Sequence, residues 1–227
     1  MGDLIKNDCY AAGLAGARIA PKGVMVHSTA ANNPWLRRYV GPDDGFLGPN
    51  ANGNTWNQPK PDGEYKCVHG FIGKMFDGTV AAYQTLPWDF RGWHAGGRAN
   101  DNYIGFEICE DDLSSADYFA KVYREAVEFT VYLCKMYGIK PAYPNIICHS
   151  EGFKLGVASN HADVMHWFPK FGKSMDAFRA EVAAGIAPAP APIYRVQTGA
   201  FGVRANAEAM LAKMKAAGFA DAFIKAE

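Results

Sequence analysis

Three residues of this chain are of types that bind metals, and two of them lie at the ends of apolar segments. His27 lies near the end of the apolar segment 23–29, His149 closes a similar segment, and Asp163 follows farther along. Imidazole and carboxylate groups are ordinary zinc ligands, and strand ends hold their side chains rigidly. We therefore predict one zinc ion with three protein ligands. The fourth position would hold water, which is the arrangement of a catalytic rather than a structural zinc site.

Each of these residues also has a simpler interpretation. A lone histidine at a strand end is usually a polar side chain with its hydrogen bonds satisfied, so the metal hypothesis depends on all three residues together. His161 competes with Asp163 for the third ligand position, and His166 follows close behind. His161 and Asp163 also fit half of an iron facial triad, but that site needs a distant downstream histidine and none follows His166.

Other residues are candidates for catalysis or substrate binding. Glu107 lies in an apolar strand-like segment, where burial raises the pKa of a carboxyl and suits a general base; a strand-edge glutamate facing solvent is the alternative. His94 is flanked by glycines that permit close approach of a ligand, or else it stacks on Trp93. Trp35 and Trp93 are candidates for stacking on sugars, with core packing as the alternative.

The elements that must position these residues alternate between strand and helix patterns. The predicted strands are 23–29, 68–75, 79–84, 104–109 and 145–148, and the predicted helices are 115–137 and 175–184. An Asp-Gly pair at 77–78 predicts a hairpin between the second and third strands. Residues 32–66, rich in Gly, Pro, Asn and Asp, predict a long loop region. We expect an α/β fold, with a mixed β-sheet flanked by helices.

An Ala-Pro segment divides the chain. We predict a catalytic domain at 1–185, a linker at 186–192, where alternating Ala-Pro disfavours helix, and a C-terminal module at 193–227. The module is predicted to form a short βαβ half-module, with strands at 194–201 and 222–224 and a helix at 204–217. One such unit is too small to fold alone, so we expect it to stay disordered or to pair with a second copy in a homodimer.

Composition argues against several partners. The 23 basic and 23 acidic residues give a net charge of +0, so the chain has no electrostatic footprint for nucleic acid. No uncharged apolar segment is long enough to span a membrane, and the N-terminus lacks the pattern of a secretory signal. Five cysteines, Cys9 among them, form no Cys-x-x-Cys pair and are predicted to be reduced, mostly buried thiols. These features predict synthesis in a reducing cytoplasm.

Six short motifs, taken in order, carry a family resemblance. They are VHST at 26–29, HGFI at 69–72, WHAG at 93–96, IGFE at 104–107, CHSE at 148–151 and NHAD at 160–163. Over roughly residues 20–183, the chain resembles the zinc-dependent N-acetylmuramoyl-L-alanine amidases of the type 2 amidase and peptidoglycan-recognition-protein superfamily, phage endolysins in particular. The residues 194–201, 205–208 and 216–219 resemble the first half of a SPOR domain, a peptidoglycan-binding module.

The resemblance implies a role for each candidate. Glu107 falls at the catalytic carboxylate, and Val68 stands where other members have a catalytic tyrosine, which leaves Glu107 as the base. His161 falls where the family usually has a lysine that stabilises the transition state. The chain departs from the family by extra residues at 151–159, before the third ligand. The zinc ligands implied are His27, His149 and Asp163.

The implied activity is hydrolysis of the amide between N-acetylmuramic acid and the L-alanine of the peptidoglycan stem peptide. A non-catalytic peptidoglycan-binding protein on the same scaffold is the first alternative, and a zinc peptidase that cuts within the stem peptide is the second. The resemblance to phage and prophage lysins implies an enzyme that is made in the cytoplasm without a signal peptide and acts on the cell wall after release.

Overall fold

The computed structural model of the protein describes residues 17–41, 43–56, 66–187 and 196–226. The chain forms two compact units that divide after Ala187. The strands of the first unit are β1 Gly23–Ser28, β2 Gly70–Lys74, β3 Val80–Gln84, β4 Tyr103–Ile108 and β5 Ile146–Cys148. Its α-helices are α1 Ala116–Tyr137, α2 His149–Lys154 and α3 Met175–Ile186.

The five strands form one mixed sheet in the order β3-β2-β4-β1-β5. The β2–β3 hairpin is antiparallel, and the other neighbouring strands are parallel. This architecture confirms the predicted mixed sheet with flanking helices. In the central β1–β4 pair, His27 lies opposite Glu107. The register therefore places a predicted metal ligand beside the predicted catalytic carboxyl.

Consecutive residues of the central strands serve opposite faces of the sheet. Val24 and Val26 of β1 pack in the main hydrophobic core with Phe106 and the buried side of α1. Met25 instead belongs to a smaller cluster with Ile147 on the other face. Because side chains alternate along a strand, His27 shares the face of Met25. One face of the sheet is thus packed by α1, and the other face carries the candidate functional residues.

Helix α1 forms where its sequence pattern predicts it. The Ser115 side chain accepts a hydrogen bond from the backbone N–H of Tyr118 and caps the first turn. Gly138 ends the helix at a φ of 65°, a left-handed conformation that glycine adopts without strain. The buried residues recur with the helical period; they are Tyr118, Phe119, Val122, Tyr123, Ala126, Phe129, Thr130, Leu133 and Cys134.

Three parts of the first unit differ from the prediction. The predicted loop at 32–66 contains, where it is described, the short 3-10 helix Leu36–Arg38. It also contributes Tyr39 and Leu47 to a second hydrophobic cluster with Phe71. Helix α2 was not predicted, because six residues are too few for a helical period to appear. Helix α3 extends to Ile186 and so includes the first residue of the predicted linker.

The C-terminal unit contains α4, Arg204–Ala216, where the sequence predicts a helix. The predicted strands are absent from its described residues, 196–226, and this part of the prediction is wrong. A strand needs a neighbour to pair its backbone groups, and the described part of the unit offers none. Residues 188–195, which hold most of the predicted linker and the start of the first predicted strand, lie outside the described residues.

The cysteines of the described residues are free thiols buried in the first unit, as predicted; they are Cys67, Cys109, Cys134 and Cys148. Cys9 lies outside the described residues, as does the rest of 1–16, on which the signal-peptide prediction depends.

Among the described helices, none combines the length and apolar character needed to cross a bilayer.

Candidate metal centre

Three side chains converge at the carboxyl ends of β1 and β5. His27 comes from β1, His149 is the first residue of α2, and Asp163 begins the 3-10 helix Asp163–His166. The two Nδ1 atoms of the histidines are 3.2 Å apart. Oδ2 of Asp163 lies 2.8 Å from Nδ1 of His149 and 3.4 Å from Nδ1 of His27. The structure thus brings together the three predicted ligands.

The size of this triangle fits a zinc ion. Zinc bonds to nitrogen and oxygen are about 2.0–2.1 Å, so neighbouring ligand atoms of a tetrahedral site are about 3.3 Å apart. The observed separations of 2.8, 3.2 and 3.4 Å lie around that length. Oδ2 of Asp163 is also buried, and it makes no hydrogen bond among the described residues. A buried carboxylate oxygen in this state is well suited to bind a cation.

His94 supports His27 from the side away from Asp163. Nε2 of His94 lies 3.3 Å from the carbonyl oxygen of Tyr103, which can only accept, so His94 carries its proton there. Nδ1 of His94 then accepts a hydrogen bond from Nε2 of His27 at 3.0 Å. This series of hydrogen bonds leaves the Nδ1 lone pair of His27 for a metal. Gly105 makes room for the His94 ring, since a Cβ at position 105 would lie 2.5 Å from that ring.

A third buried histidine, His69, lies behind the partly buried His94, with the two ring centroids 5.9 Å apart. Its Nδ1 accepts a hydrogen bond from the backbone N–H of Gly105 at 3.0 Å, and its Nε2 donates to the carbonyl of Phe90 at 2.8 Å. Burial lowers the pKa of His69 to about 4. His69 is therefore a neutral histidine that connects β4 to the loop before His94.

The second candidate ligand, His149, is positioned by the start of α2. The Glu151 carboxylate accepts a hydrogen bond from the backbone N–H of Cys148 at 3.1 Å, which caps the helix. Arg179 of α3 holds that carboxylate with two hydrogen bonds of 3.0 and 3.1 Å and also donates to the carbonyl of Ile146. A buried two-pronged pair of this kind fixes the end of β5 and the first turn of α2, and so the backbone of His149.

The other ring nitrogen of His149, Nε2, contacts Ser159, which the sequence analysis did not identify. Nε2 lies 3.1 Å from Oγ of Ser159, and the same Oγ lies 3.1 Å from Nδ1 of His161. A loop serine carries no periodic signal, so a sequence offers little to single it out. The one available clue is its position at the end of the extra residues 151–159.

Burial sets the charge state of the centre. It lowers the pKa of His27, an effect that Asp163 partly offsets. Burial alone would raise the pKa of Asp163, but the imidazoles of His149 and His27 outweigh it and the pKa is lowered. The two histidines with one anionic carboxylate form a donor set suited to a divalent cation.

Glu107 is buried beside this group. Only 7% of it is exposed, and its Oε2 has no hydrogen-bond partner among the described residues. Burial raises the pKa of Glu107 well above its ordinary value, and the nearby charges of Asp163 and Glu110 raise it further. The solvent-facing alternative for Glu107 does not describe this structure.

His161 and His166 occupy different surroundings. His161 is exposed, and its ring lies 4.7 Å from that of His149 between centroids. Nε2 of His166 lies 3.0 Å from Oε2 of the buried Glu110, and His166 is not part of the three-residue group. The structure therefore brings Asp163, rather than either histidine, to the third position of the triangle.

The two predicted stacking residues both lie at the surface. Trp93 is 46% exposed, with the Arg91 guanidinium 5.5 Å from its ring centre. Trp35 is half-buried, with the Arg37 guanidinium 4.2 Å from its ring centre. The structure gives no stacking of His94 on Trp93; the His94 ring instead lies 5.0 Å from that of His27.

A mixed sheet with two histidines and a carboxylate grouped at its strand ends, beside a buried carboxyl, is an arrangement that could hold a metal ion for hydrolysis. The sequence profile of N-acetylmuramoyl-L-alanine amidase matches residues 17–166, and the profile of the SPOR domain matches residues 190–227. The chain belongs to the N-acetylmuramoyl-L-alanine amidase family. It is accordingly a peptidoglycan hydrolase with a SPOR segment. No curated protein matches the chain.

Solved structures share this fold. A mutant endolysin from Bacillus subtilis is 26% identical, with a TM-score of 0.53, over 80% of this chain and 99% of the other. PlyL is 20% identical, with a TM-score of 0.55, over 80% of this chain and 97% of the other. The hydrolase AmiA of Staphylococcus aureus, in complex with its ligand, is 17% identical, with a TM-score of 0.54, over 82% and 83%.

Proposed function

We propose that His27, His149 and Asp163 hold one zinc ion, and that the chain uses it to cleave the amide between N-acetylmuramic acid and L-alanine. The observation that carries this proposal is the triangle of ligand atoms, one of them a buried oxygen without a hydrogen bond. When bound, zinc supplies Lewis-acid chemistry, which polarises an amide carbonyl and makes water more acidic.

Glu107 acts as the general base in this proposal. It lies opposite His27 in the β1–β4 register, so its carboxyl is next to the metal ligands. Its surroundings raise its affinity for a proton, as a base requires. Glu107 takes a proton from the attacking water and then passes it to the amine that leaves with L-alanine. One carboxyl therefore serves both halves of the hydrolysis.

The other candidate residues contact the substrate or hold a metal ligand in position. His161, exposed beside His149, donates a hydrogen bond to the oxyanion that develops on the carbonyl. Trp93 and Trp35 contact the glycan. Both ring nitrogens of His94 are engaged by other protein atoms, so we assign it to the support of His27 rather than to direct contact with substrate.

The C-terminal unit serves binding to the wall. Its SPOR match supports recognition of peptidoglycan, and its exposed apolar side chains, Phe219 and Phe223 among them, support pairing with a second copy. The amidase match and the SPOR match together support an enzyme that acts on the cell wall after release, in the manner of a lysin.

The test is digestion of purified cell walls with the full chain, followed by mass spectrometry of the fragments. Free stem peptides that begin with L-alanine, with glycans that carry intact lactyl groups, are expected. Fragments cut within the stem peptide would identify a peptidase instead, and binding without fragments would identify a non-catalytic protein. Elemental analysis of the same protein should give one zinc per chain.

Two matched variants test the third ligand. Asp163→Ala should lose zinc, whereas His161→Ala should keep zinc and lose rate. The reverse pattern would make His161 the ligand and would refute this part of the proposal. Circular dichroism of both variants separates loss of the metal from loss of the fold.

A further inference from the structure

The Ser159 hydroxyl lies among three polar atoms at the candidate centre. Its Oγ is 3.1 Å from Nε2 of His149, 3.1 Å from Nδ1 of His161 and 3.2 Å from the carbonyl oxygen of Ala95. A hydroxyl donates one proton and accepts through two lone pairs, whereas a carbonyl only accepts. All three contacts are satisfied when Ser159 donates to Ala95 and both imidazoles donate to Ser159.

This arrangement assigns the proton positions on both histidines. His149 carries its proton on Nε2, which leaves the Nδ1 lone pair for the ion beside Asp163. His161 carries a proton on Nδ1. Its Nε2 makes no hydrogen bond within the described part of the chain and is the nitrogen left for substrate. The hydrogen bond made by one ring nitrogen sets the state of the other.

The position of Ser159 is itself fixed by the backbone. Its N–H donates to the carbonyl of Ala95 at 2.8 Å, the same oxygen that faces its hydroxyl. A Cβ at Gly96 would lie 2.7 Å from Oγ of Ser159, so the absence of a side chain there permits this close approach. The extra residues 151–159 therefore end on a hydroxyl that is held in place from two sides.

We propose that Ser159 is a positioning residue whose single hydroxyl holds both a zinc ligand, His149, and the substrate-facing histidine, His161. The proposal rests on the proposed function of those two residues. Because one oxygen serves both rings, loss of the hydroxyl weakens metal binding and misaligns His161 together. Two separate supporting residues would not couple these effects.

The test compares Ser159→Thr with Ser159→Val. The two side chains have the same shape and share any steric cost near Gly96, so only the hydroxyl differs between them. Zinc affinity is measured on the full chain by competition with a chelator, without substrate. Ser159→Thr should stay close to wild type, and Ser159→Val should bind zinc roughly 10–100-fold more weakly, the usual loss for such a partner.

A second measurement does not depend on the metal. Nitrogen-15 NMR of the zinc-free protein should show the proton of His161 on Nδ1 in wild type and in Ser159→Thr, and a changed state in Ser159→Val. Ser159→Ala, which is smaller than serine, should behave as Ser159→Val and controls for crowding. Wall hydrolysis should follow the same order of variants.

Equal zinc affinity and an unchanged His161 spectrum across the Thr, Val and Ala variants would overturn the proposal. A wild-type chain that binds no zinc or cleaves no wall would overturn the proposed function instead. In that case the spectrum of the zinc-free protein would still decide whether Ser159 sets the state of His161.

Discussion

The two units of this chain differ in how much of themselves they bury. The first has a continuous core between the sheet and α1, and its candidate centre lies on the opposite face of the same sheet. In the second, none of the residues of α4 is buried, and Phe219 and Phe223 are 55% and 66% exposed. The first unit is therefore organised around its own core, whereas the second, taken by itself, leaves its apolar side chains exposed.

The largest expected effect is in the first unit. His27→Ala should abolish both zinc binding and wall hydrolysis, because it removes one of three ligands from a buried site. Elemental analysis and a turbidity assay on cell walls measure the two losses. Phe219→Ala, in the second unit, is the matched control and should keep zinc. If His27→Ala kept full zinc and wild-type lysis, the centre would be elsewhere.

The next effect separates chemistry from metal binding within the first unit. Glu107→Gln keeps the size of the side chain but removes its ability to take a proton. It should retain zinc and lose roughly 10²–10⁴-fold in rate, the usual contribution of a general base. Single-turnover assays on a soluble muropeptide measure the rate. A variant within a few-fold of wild type would show that another group is the base.

A third effect concerns stability against acid. The pKa of His69 is about 4 in the fold against an ordinary 6.5, so folding favours its neutral form. The contribution of His69 to the free energy of unfolding is therefore fully present above about pH 6.5. It falls as the pH drops towards 4, where the loss approaches about 3 kcal/mol.

Urea unfolding of the zinc-free protein between pH 7.5 and pH 4.5 measures this loss. His69→Gln has no titrating group at this position, so its stability should fall less steeply over the same range, whatever its stability at neutral pH. Parallel curves for the two proteins would contradict the assignment. The second unit contains no histidine and should add no histidine-dependent change in stability over this range.

The smallest effect on chemistry should come from removal of the second unit. A chain that ends at Ala187 should hydrolyse soluble muropeptides at the wild-type rate, because the candidate centre lies wholly in the first unit. It should bind intact walls more weakly, through loss of the SPOR segment. Co-sedimentation with walls measures binding, and equal sedimentation of both chains would make the second unit dispensable.

Light scattering tests the predicted pairing separately. Full-length protein should be dimeric and the chain that ends at Ala187 monomeric, because two copies would cover each other's apolar side chains and increase avidity for the wall. If both proteins were monomers, the apolar surface would need a different cover, and the homodimer prediction would be wrong.

The sequence predicts the parts of this molecule that depend on local patterns. Helix α1 has its cap, its period and its terminal glycine in one continuous segment, and the structure places it there. The candidate ligands could be predicted because His27 lies near the end of β1 and His149 directly follows β5, a neighbouring parallel strand. The predicted C-terminal strands failed because their stability depends on a partner that the described residues lack.

The supporting residues could not be predicted in the same way. His94 and Ser159 act through hydrogen bonds to residues that are distant in sequence, at His27 and at His149. Their positions depend on the assembled sheet and on close approaches at Gly105 and Gly96. A single sequence shows these residues as a histidine and a serine in loops.

Consecutive side chains of strand β1 alternate between the two faces of the sheet. Val26 belongs to the core and His27 to the centre, although they are consecutive residues. Insertion or deletion of one residue within the strand would exchange the two faces, placing an imidazole in the apolar core and a valine at the candidate centre. Of the extra residues 151–159, residues 151–154 lie in α2 and the rest lie in the connection that follows it. Redesign of this enzyme must therefore keep the alternation of side chains along its central strands.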